Sequence, residues 1–574
     1  MLRNASNANR SFPLSFSQRR LWFLEAVDGT GLTFTSRRLF HVSGELSVTA
    51  LRHAVEFLVR RHEPLRTVFV DAPDSIDGVV QRILPTSMIP IEVEDLSNTA
   101  HDQNVLLEHW HRVTQRPFDI RSDALLRMNI VQLSSRSFYI LISLHEMAAD
   151  GWAESVFLDE LGRAYNAEMS GVDAGFPELP IQYADWAVWQ RKRLTSERLE
   201  KLIRWWRGHL EGAPSKIALP FLPNKEIRDR VSRRACMRLP NASMNELHAF
   251  ARRERCTVYT IFMTIYAVVL GQISAQNDLI IGTPEANREQ DEMQHVLGFS
   301  LNTLALRIKL QGDQSFVTLL HRVRTSLMQA YAHKDIPFEL LVNGLQLSRE
   351  PGELPLAQVC FTYRGPEHGG SLTFHECIVR EIPVDLYRSR FALTMGVDER
   401  VDQATLWALF DLNLLSESTV SSFLSCFQHT LQKILRSPCE RLTEIFHEPC
   451  VLDVPRASPT FIGAFSEKSE GSLVGPKLPT SRPTVDQDEA VLCEIIAGLL
   501  HVESVDRHAN FFDIGGTSLL AMALLTRVRV LLRKDVAIRQ FLEHPTLAGL
   551  LNNVTKANPI DVREHIDRGD SEDS

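Results

Sequence analysis

Apolar residues recur at helical spacing through residues 50–61 (ALRHAVEFLVRR), 244–253 and 316–333, which predicts amphipathic helices with one face in a core. Residues 137–144 (SFYILISL) form an apolar run too short for a helix and long enough for a buried strand. Residues 277–282 (NDLIIG) and 359–363 (VCFTY) read the same way. Strands and helices mixed like this, with no dinucleotide or P-loop glycine pattern, predict α/β or α+β layers over residues 11–450. The strand-rich segments divide near residue 180, giving halves 11–180 and 181–450. Periodicity then stops. Residues 451–486 are rich in Pro, Ser, Gly and Thr, with Pro455, Pro459, Pro476, Pro479 and Pro483, and read as a linker. Helical spacing returns over 487–555, predicting a small three- to four-helix bundle, and 556–574 is a polar tail.

Composition narrows the class without fixing it. A chain of 574 residues, 44% hydrophobic and 23% charged, is ordinary for a globular protein of more than one domain. A net charge of −9 argues against a broad nucleic-acid surface. The N-terminal segment has no apolar core of a secretory signal, and no run of about 18 apolar residues occurs, so no membrane span is expected. Eight cysteines without C-x-x-C spacing make a poor disulfide framework and suit a reducing, cytoplasmic compartment.

The informative chemistry follows the first apolar strand. In residues 141–152, LISLHEMAADGW, a His-Glu pair stands at the strand's end and Asp150-Gly151 makes a turn behind it. Titratable side chains at the mouth of a strand are candidates for acid–base work. Taken alone, such a pair is a satisfied surface pair more often than a site. It is not a zinc-protease motif, because the second His of H-E-x-x-H is missing.

Further segments change that balance. The turn resembles the H-H-x-x-x-D-G motif of condensation domains from nonribosomal peptide synthetases. SFSQRRLW (15–22), RHEPLRTVF (61–69), YADWAVW (183–189), IGTPEANR (281–288) with LGFSLNTL (297–304), HKDIPFE (333–339) and, more weakly, LSREP (347–351) resemble the same family's other motifs, in order. The resemblance implies an α/β fold of two chloramphenicol-acetyltransferase-like lobes in a pseudo-dimeric V. It also implies a tunnel in which an acceptor amine meets a donor thioester. Within it, Asp150 pairs with an arginine of the second lobe, for which Arg288 is the match. His145 fixes the turn, Gly151 closes the motif, Trp152 packs, and Tyr183, Trp186 and Trp189 are core aromatics. Arg66 is either tunnel-lining or structural.

One position departs from the family. His145 fills the place of the first histidine, but Glu146 stands where the catalytic second histidine belongs. Imidazole suits proton removal from an amine because it titrates near neutrality. A carboxylate at its ordinary value of ~4.3 is a weaker base, though burial raises it. Glu146 therefore allows three roles: general base, electrostatic anchor for the amine, or relic of a lobe that binds without catalysing.

The bundle carries the second motif. NFFDIGGTSLL (510–520), followed by FLEHPTLAGL (541–550), resembles the carrier-protein signature, with Ser518 implied as the attachment point of 4′-phosphopantetheine. Gly515-Gly516 gives a tight turn, and Ser518 at a helix start would face a phosphodiester with the helix's positive end. The pattern is not the G-x-S-x-G of a thioesterase.

These readings predict an acyltransferase that forms amide bonds in nonribosomal peptide biosynthesis, with an amine, most simply on Ser518's arm, as acceptor. The motifs begin about fifteen residues from Met1 and no adenylation signature occurs, so a separate adenylation protein, a separate donor carrier protein and a phosphopantetheinyl transferase are the expected partners. The alternative is a silent platform that presents a carrier-bound substrate to a tailoring enzyme. An epimerising relative fits less well because the carrier follows here, and a heterocyclising one lacks its D-x-x-x-x-D pattern. No metal is expected.

Overall fold

The computed structural model describes residues 11–97, 103–220, 232–311, 313–345, 356–366, 372–382, 391–400, 403–447, 487–500, 502–516 and 518–557. The linker expected at 451–486, the tail beyond residue 557 and the segment 347–351 lie outside them. The chain divides into two units, Met1–Asp453 and Val454–Ser574.

The first unit begins β1 (Ser11–Phe12), α1 (Phe16–Asp28), β2 (Thr35–Ser43), α2 (Val48–Arg61), β3 (Thr67–Asp71), β4 (Val79–Ile83), β5 (Ile91–Asp95), α3 (Gln103–Thr114), β6 (Leu126–Ser134), β7 (Ser137–His145) and α4 (Gly151–Ser170). It continues α5 (Tyr183–Arg193), α6 (Ser196–Leu210), β8 (Ser232–Leu239), α7 (Asn241–Arg253), α8 (Val258–Ser274), β9 (Asp278–Glu285), β10 (Asn302–Lys309), α9 (Phe316–Ala332) and α10 (Phe338–Gly344). It ends β11 (Val359–Arg364), β12 (Ile378–Ile382), β13 (Leu393–Arg400), β14 (Gln403–Asp411), α11 (Glu417–Arg436) and α12 (Leu442–His447).

Two sheets organise this unit. The first has the order β12-β2-β7-β6-β5 and the second β10-β9-β11-β13-β14-β8; a small third sheet, β1-β4-β3, flanks them. β7 lies in the middle of the first sheet and is buried along nearly its whole length, which is why its sequence is a continuous apolar run and not an alternation. The second sheet rests on α8, whose residues are buried on every side. Each large apolar side chain buried this way contributes roughly 1.5–3 kcal/mol. Among the described residues no single helix is long and apolar enough to cross a membrane; apolar α8 is core.

The halves are stitched together. β12, from the second half of the sequence, pairs antiparallel with β2, Ile378 opposite Ser43 and Ile382 opposite Leu39, and so completes the first sheet. Beneath that sheet α2 is fixed to α4 by a buried clamp: Arg61 Nε and His62 Nε2 both reach Glu160 Oε2, at 3.0 and 2.6 Å. Burial pushes the His62 imidazole below its ordinary value. Burial acts on Glu160 in the opposite sense, but its bonds to His62 and Arg61 prevail and hold its carboxyl low.

Cysteine usage differs from the sequence expectation at one place. Cys236, Cys256, Cys360, Cys377, Cys439 and Cys493 are free, but Cys426 of α11 is disulfide-bonded.

The second unit is α-helical: α13 (Gln487–Leu500), α14 (Ser518–Leu532), α15 (Ile538–Glu543) and α16 (Leu547–Lys556). Leu492, Ile496, Phe511, Leu524, Val528, Phe541, Leu550 and Val554 are buried together at its centre.

Candidate active site

The site is built where β7 runs out. The His145 N–H still donates to Leu125 O at 2.9 Å, and Glu146 N–H donates to Phe34 O at 2.8 Å, so strand bonding holds both residues of the pair. Ala148 and Ala149 then close a turn onto the carbonyls of His145 and Glu146, and Asp150 caps α4 by accepting from Ala153 N at 2.9 Å. His145 is fully buried, with Phe118 set edge-on to its ring at 5.7 Å. Its Nδ1 accepts from Met147 N–H at 3.1 Å, which in the neutral ring leaves the proton on Nε2. Glu146 is half-buried.

The structure brings Asp150 and Arg288 together. Arg288 Nη2 lies 3.2 and 3.4 Å from the two Asp150 oxygens, and both side chains are almost wholly enclosed. Arg288 also donates to the carbonyls of Met293, Val296 and Gly298. Asp150 accepts from the N–H and the hydroxyl of Ser300, both at 3.0 Å. Its own N–H reaches Gly298 O at 3.2 Å. Gly298 is obligatory here: its φ is +140°, and a Cβ would stand 2.0 Å from the Tyr183 ring. Tyr183 in turn shares hydrogen bonds with Ser15 and Phe299 O, and burial pushes its phenol up, so it stays protonated. Trp186 is buried and Trp189 partly so.

The other residues named from the sequence fall outside this node. Gly151 opens α4 on an exposed face, and a Cβ there would meet Arg364 Nη2 of β11 at 3.8 Å. Trp152 is half-buried and donates to Gln294 O at 3.0 Å, a clip as much as a packing residue. Arg66 bonds Leu84 O and faces Glu63 at 3.7 Å, which makes it part of the β3–β4 scaffold.

Sequence reasoning did not single out Ser300, although it lies inside the segment LGFSLNTL. It also passed over Glu25, Arg364 and a charged group below α4. There Arg38 bridges Glu154 at 3.6 Å and Glu381 at 2.5 Å, with Ser36 on Glu154 at 2.8 Å. Among the described residues no cluster of His, Cys, Asp or Glu is placed to hold a metal ion.

In the second unit the signature residues build one tight corner. Phe511 N–H donates to Pro545 O at 2.7 Å, and Gly516 N–H returns to Phe511 O at 2.8 Å. A Cβ on Gly516 would lie 2.3 Å from Phe511, so only glycine fits; Gly515 has φ +101° with open space beside it. Ser518 is the first residue of α14. The open space at Gly515, close to the start of α14, suits attachment of a phosphodiester arm.

Comparison with known proteins agrees with this geometry. A family model described as "Condensation domain" matches residues 8–448, and one described as "Phosphopantetheine attachment site" matches residues 490–554. Malpinin synthetase of Mortierella alpina is 33% identical over 413 residues, covering 70% of this chain; the match spans only 5% of that relative's length. The X-domain in its complex with OxyB from teicoplanin biosynthesis superposes with a TM-score of 0.66 at 22% identity, over 78% of this chain and 98% of that one. The first condensation domain of the calcium-dependent antibiotic synthetase, in complex with substrate analogue 3a, gives 0.64 at 15% identity, over 76% and 99%. The chain thus belongs to the condensation-domain family of nonribosomal peptide synthetases, a two-lobed acetyltransferase-like fold followed by a helical carrier region with a phosphopantetheine attachment site.

Proposed function

We propose that this protein joins a donor acyl or aminoacyl thioester to the amine of an acceptor held on its own carrier, with Glu146 as the residue that handles the amine's proton. The domains assigned are residues 11–450 for condensation, 451–486 for the linker and 487–555 for the carrier. Ser518 is the attachment residue, loaded by a phosphopantetheinyl transferase. When bound, the arm supplies a thiol that carries its cargo as a thioester.

The reaction balances simply. The amine nitrogen forms a C–N bond to the donor carbonyl, the C–S bond breaks, and the donor thiolate leaves. The proton shed by nitrogen passes to the Glu146 carboxylate and ends on the departing thiol. A carboxylate can take that proton as general base, and holding both reactants in place supplies several kcal/mol of the barrier. The observation that carries the reading is the anchoring of the turn. Residues 145–150 are held by strand hydrogen bonds at one end and by the Asp150–Arg288–Ser300 node at the other, so Glu146 is presented by a rigid frame.

One observation favours a second reading. Glu146 replaces the family's second histidine, and an X-domain of the same fold is known in complex with OxyB. On that reading the first unit presents a carrier-bound substrate to a tailoring enzyme. Both readings are tested together. Ser518 is loaded from aminoacyl-coenzyme A with a broad phosphopantetheinyl transferase, and the protein is then mixed with an acyl-loaded donor carrier. The condensing reading expects mass gain at residue 518, lost in Ser518→Ala, and a joined thioester by mass spectrometry. Absence of joined product, with retained binding of a tailoring enzyme, selects the platform.

A further inference from the structure

Behind His145 lies a carboxylate that neither the family motif nor the proposed proton transfer uses. Glu25 sits in the last turn of α1 and is only 8% exposed. Among the described residues neither of its carboxylate oxygens has a hydrogen-bond partner. The His145 ring faces it, with Nε2 3.8 Å from Glu25 Oε2. That nitrogen is likewise buried and without a hydrogen bond among the described residues, while Nδ1 is already committed to Met147 N–H. Two more donors are buried and, among the described residues, unbonded: the indole N–H of Trp22, one turn earlier on α1, and the hydroxyl of Thr35, which lies opposite His145 in the β2–β7 register.

Such an arrangement is costly unless it has a use, because an enclosed carboxylate without donors is strongly disfavoured. The imidazole Nε2 faces it at 3.8 Å. Since Nδ1 must accept from Met147, the ring has to be protonated at Nε2, and a carboxylate on that side selects this tautomer.

We infer that Glu25 is a positioning residue: its carboxylate holds the Nε2–H form of His145 and thereby sets the His145–Met147 turn on which Glu146 is presented. The role rests on the proposed use of Glu146, but the contact itself does not. Glu25 touches neither reactant. It fixes the ring, the ring fixes Met147 N–H, and the residue between them is Glu146.

The test has one arm independent of catalysis. Nitrogen-15 imidazole spectra of the full chain, with His145 assigned by comparison with His145→Asn, are expected to show Nε2–H in the wild type and a shifted ring in Glu25→Gln. A wild-type ring protonated at Nδ1 overturns the proposal, as does a His145 resonance that Glu25→Gln leaves in place. In the second arm, joining kinetics are read for Glu25→Gln, Glu146→Gln and the double variant. Glu25→Gln is expected to lower kcat roughly ten- to a hundredfold with KM unchanged, and Glu25→Asp to restore part of it. The double variant is expected to be no slower than Glu146→Gln alone. Fully additive losses overturn the proposal. If wild type forms no product, the condensing function has failed while the spectra still decide the contact.

Discussion

The two ends of one six-residue turn are treated in opposite ways by the same fold. At Asp150 each carboxylate oxygen is engaged: Ala153 N–H and Arg288 on one, Ser300 twice and Arg288 on the other. At His145, one ring nitrogen is bonded and the other faces Glu25 across 3.8 Å with no hydrogen bond among the described residues. The first end is a finished structural joint between the two halves of the domain. The second keeps buried polar groups unsaturated next to the residue that departs from the family. Saturation marks where the two halves are joined; a few residues away, side-chain polar atoms stay enclosed without bonds among the described residues.

The comparison breaks first at Arg288. Arg288→Ala leaves Asp150 enclosed and unpaired, and is expected to cost about 3–5 kcal/mol, read by urea unfolding. A loss under about 1 kcal/mol would mean that the joint is not structural. Ser300→Ala removes one charge-assisted bond and the hydroxyl's contact with Ala286 O. It is expected to cost about 1.5–3 kcal/mol while leaving the Arg288 pair in place.

The smallest effect is a pH dependence from the clamp beneath α4. His62 and Glu160 both titrate below their ordinary values of 6.5 and 4.5 in the folded chain. The unfolded chain therefore takes up protons first as pH falls, so this stability is complete above the ordinary histidine value and is lost below it. Melting temperature is expected to fall from about pH 8 to about pH 5, and less steeply in His62→Asn. An equal slope in the variant would remove His62 from the account.

Much of this was legible in the sequence, for different reasons in different places. The central strand showed itself because burial on both faces leaves an unbroken apolar run, SFYILISL. The strand β12 did not, since Ile378–Ile382 is exposed or half-exposed and pairs with a strand more than three hundred residues earlier in the chain. The contact of Asp150 with Arg288 came from motif resemblance; nothing in local spacing links residues 138 positions apart. Glu25 was invisible because a carboxylate near a helix end reads as solvated, and only the packed structure shows that it is not. The glycines of the carrier corner were readable as a turn, while the reason at Gly516, the Phe511 ring where a Cβ would go, is tertiary.

The central claim is that Glu146 moves a proton in the joining reaction. Single-turnover rates of the loaded protein, compared between wild type and Glu146→Gln at equal melting temperature, test it most directly. The account predicts a fall of about 10²–10⁴ in rate with binding of both loaded partners unchanged. An unchanged rate in Glu146→Gln would contradict it.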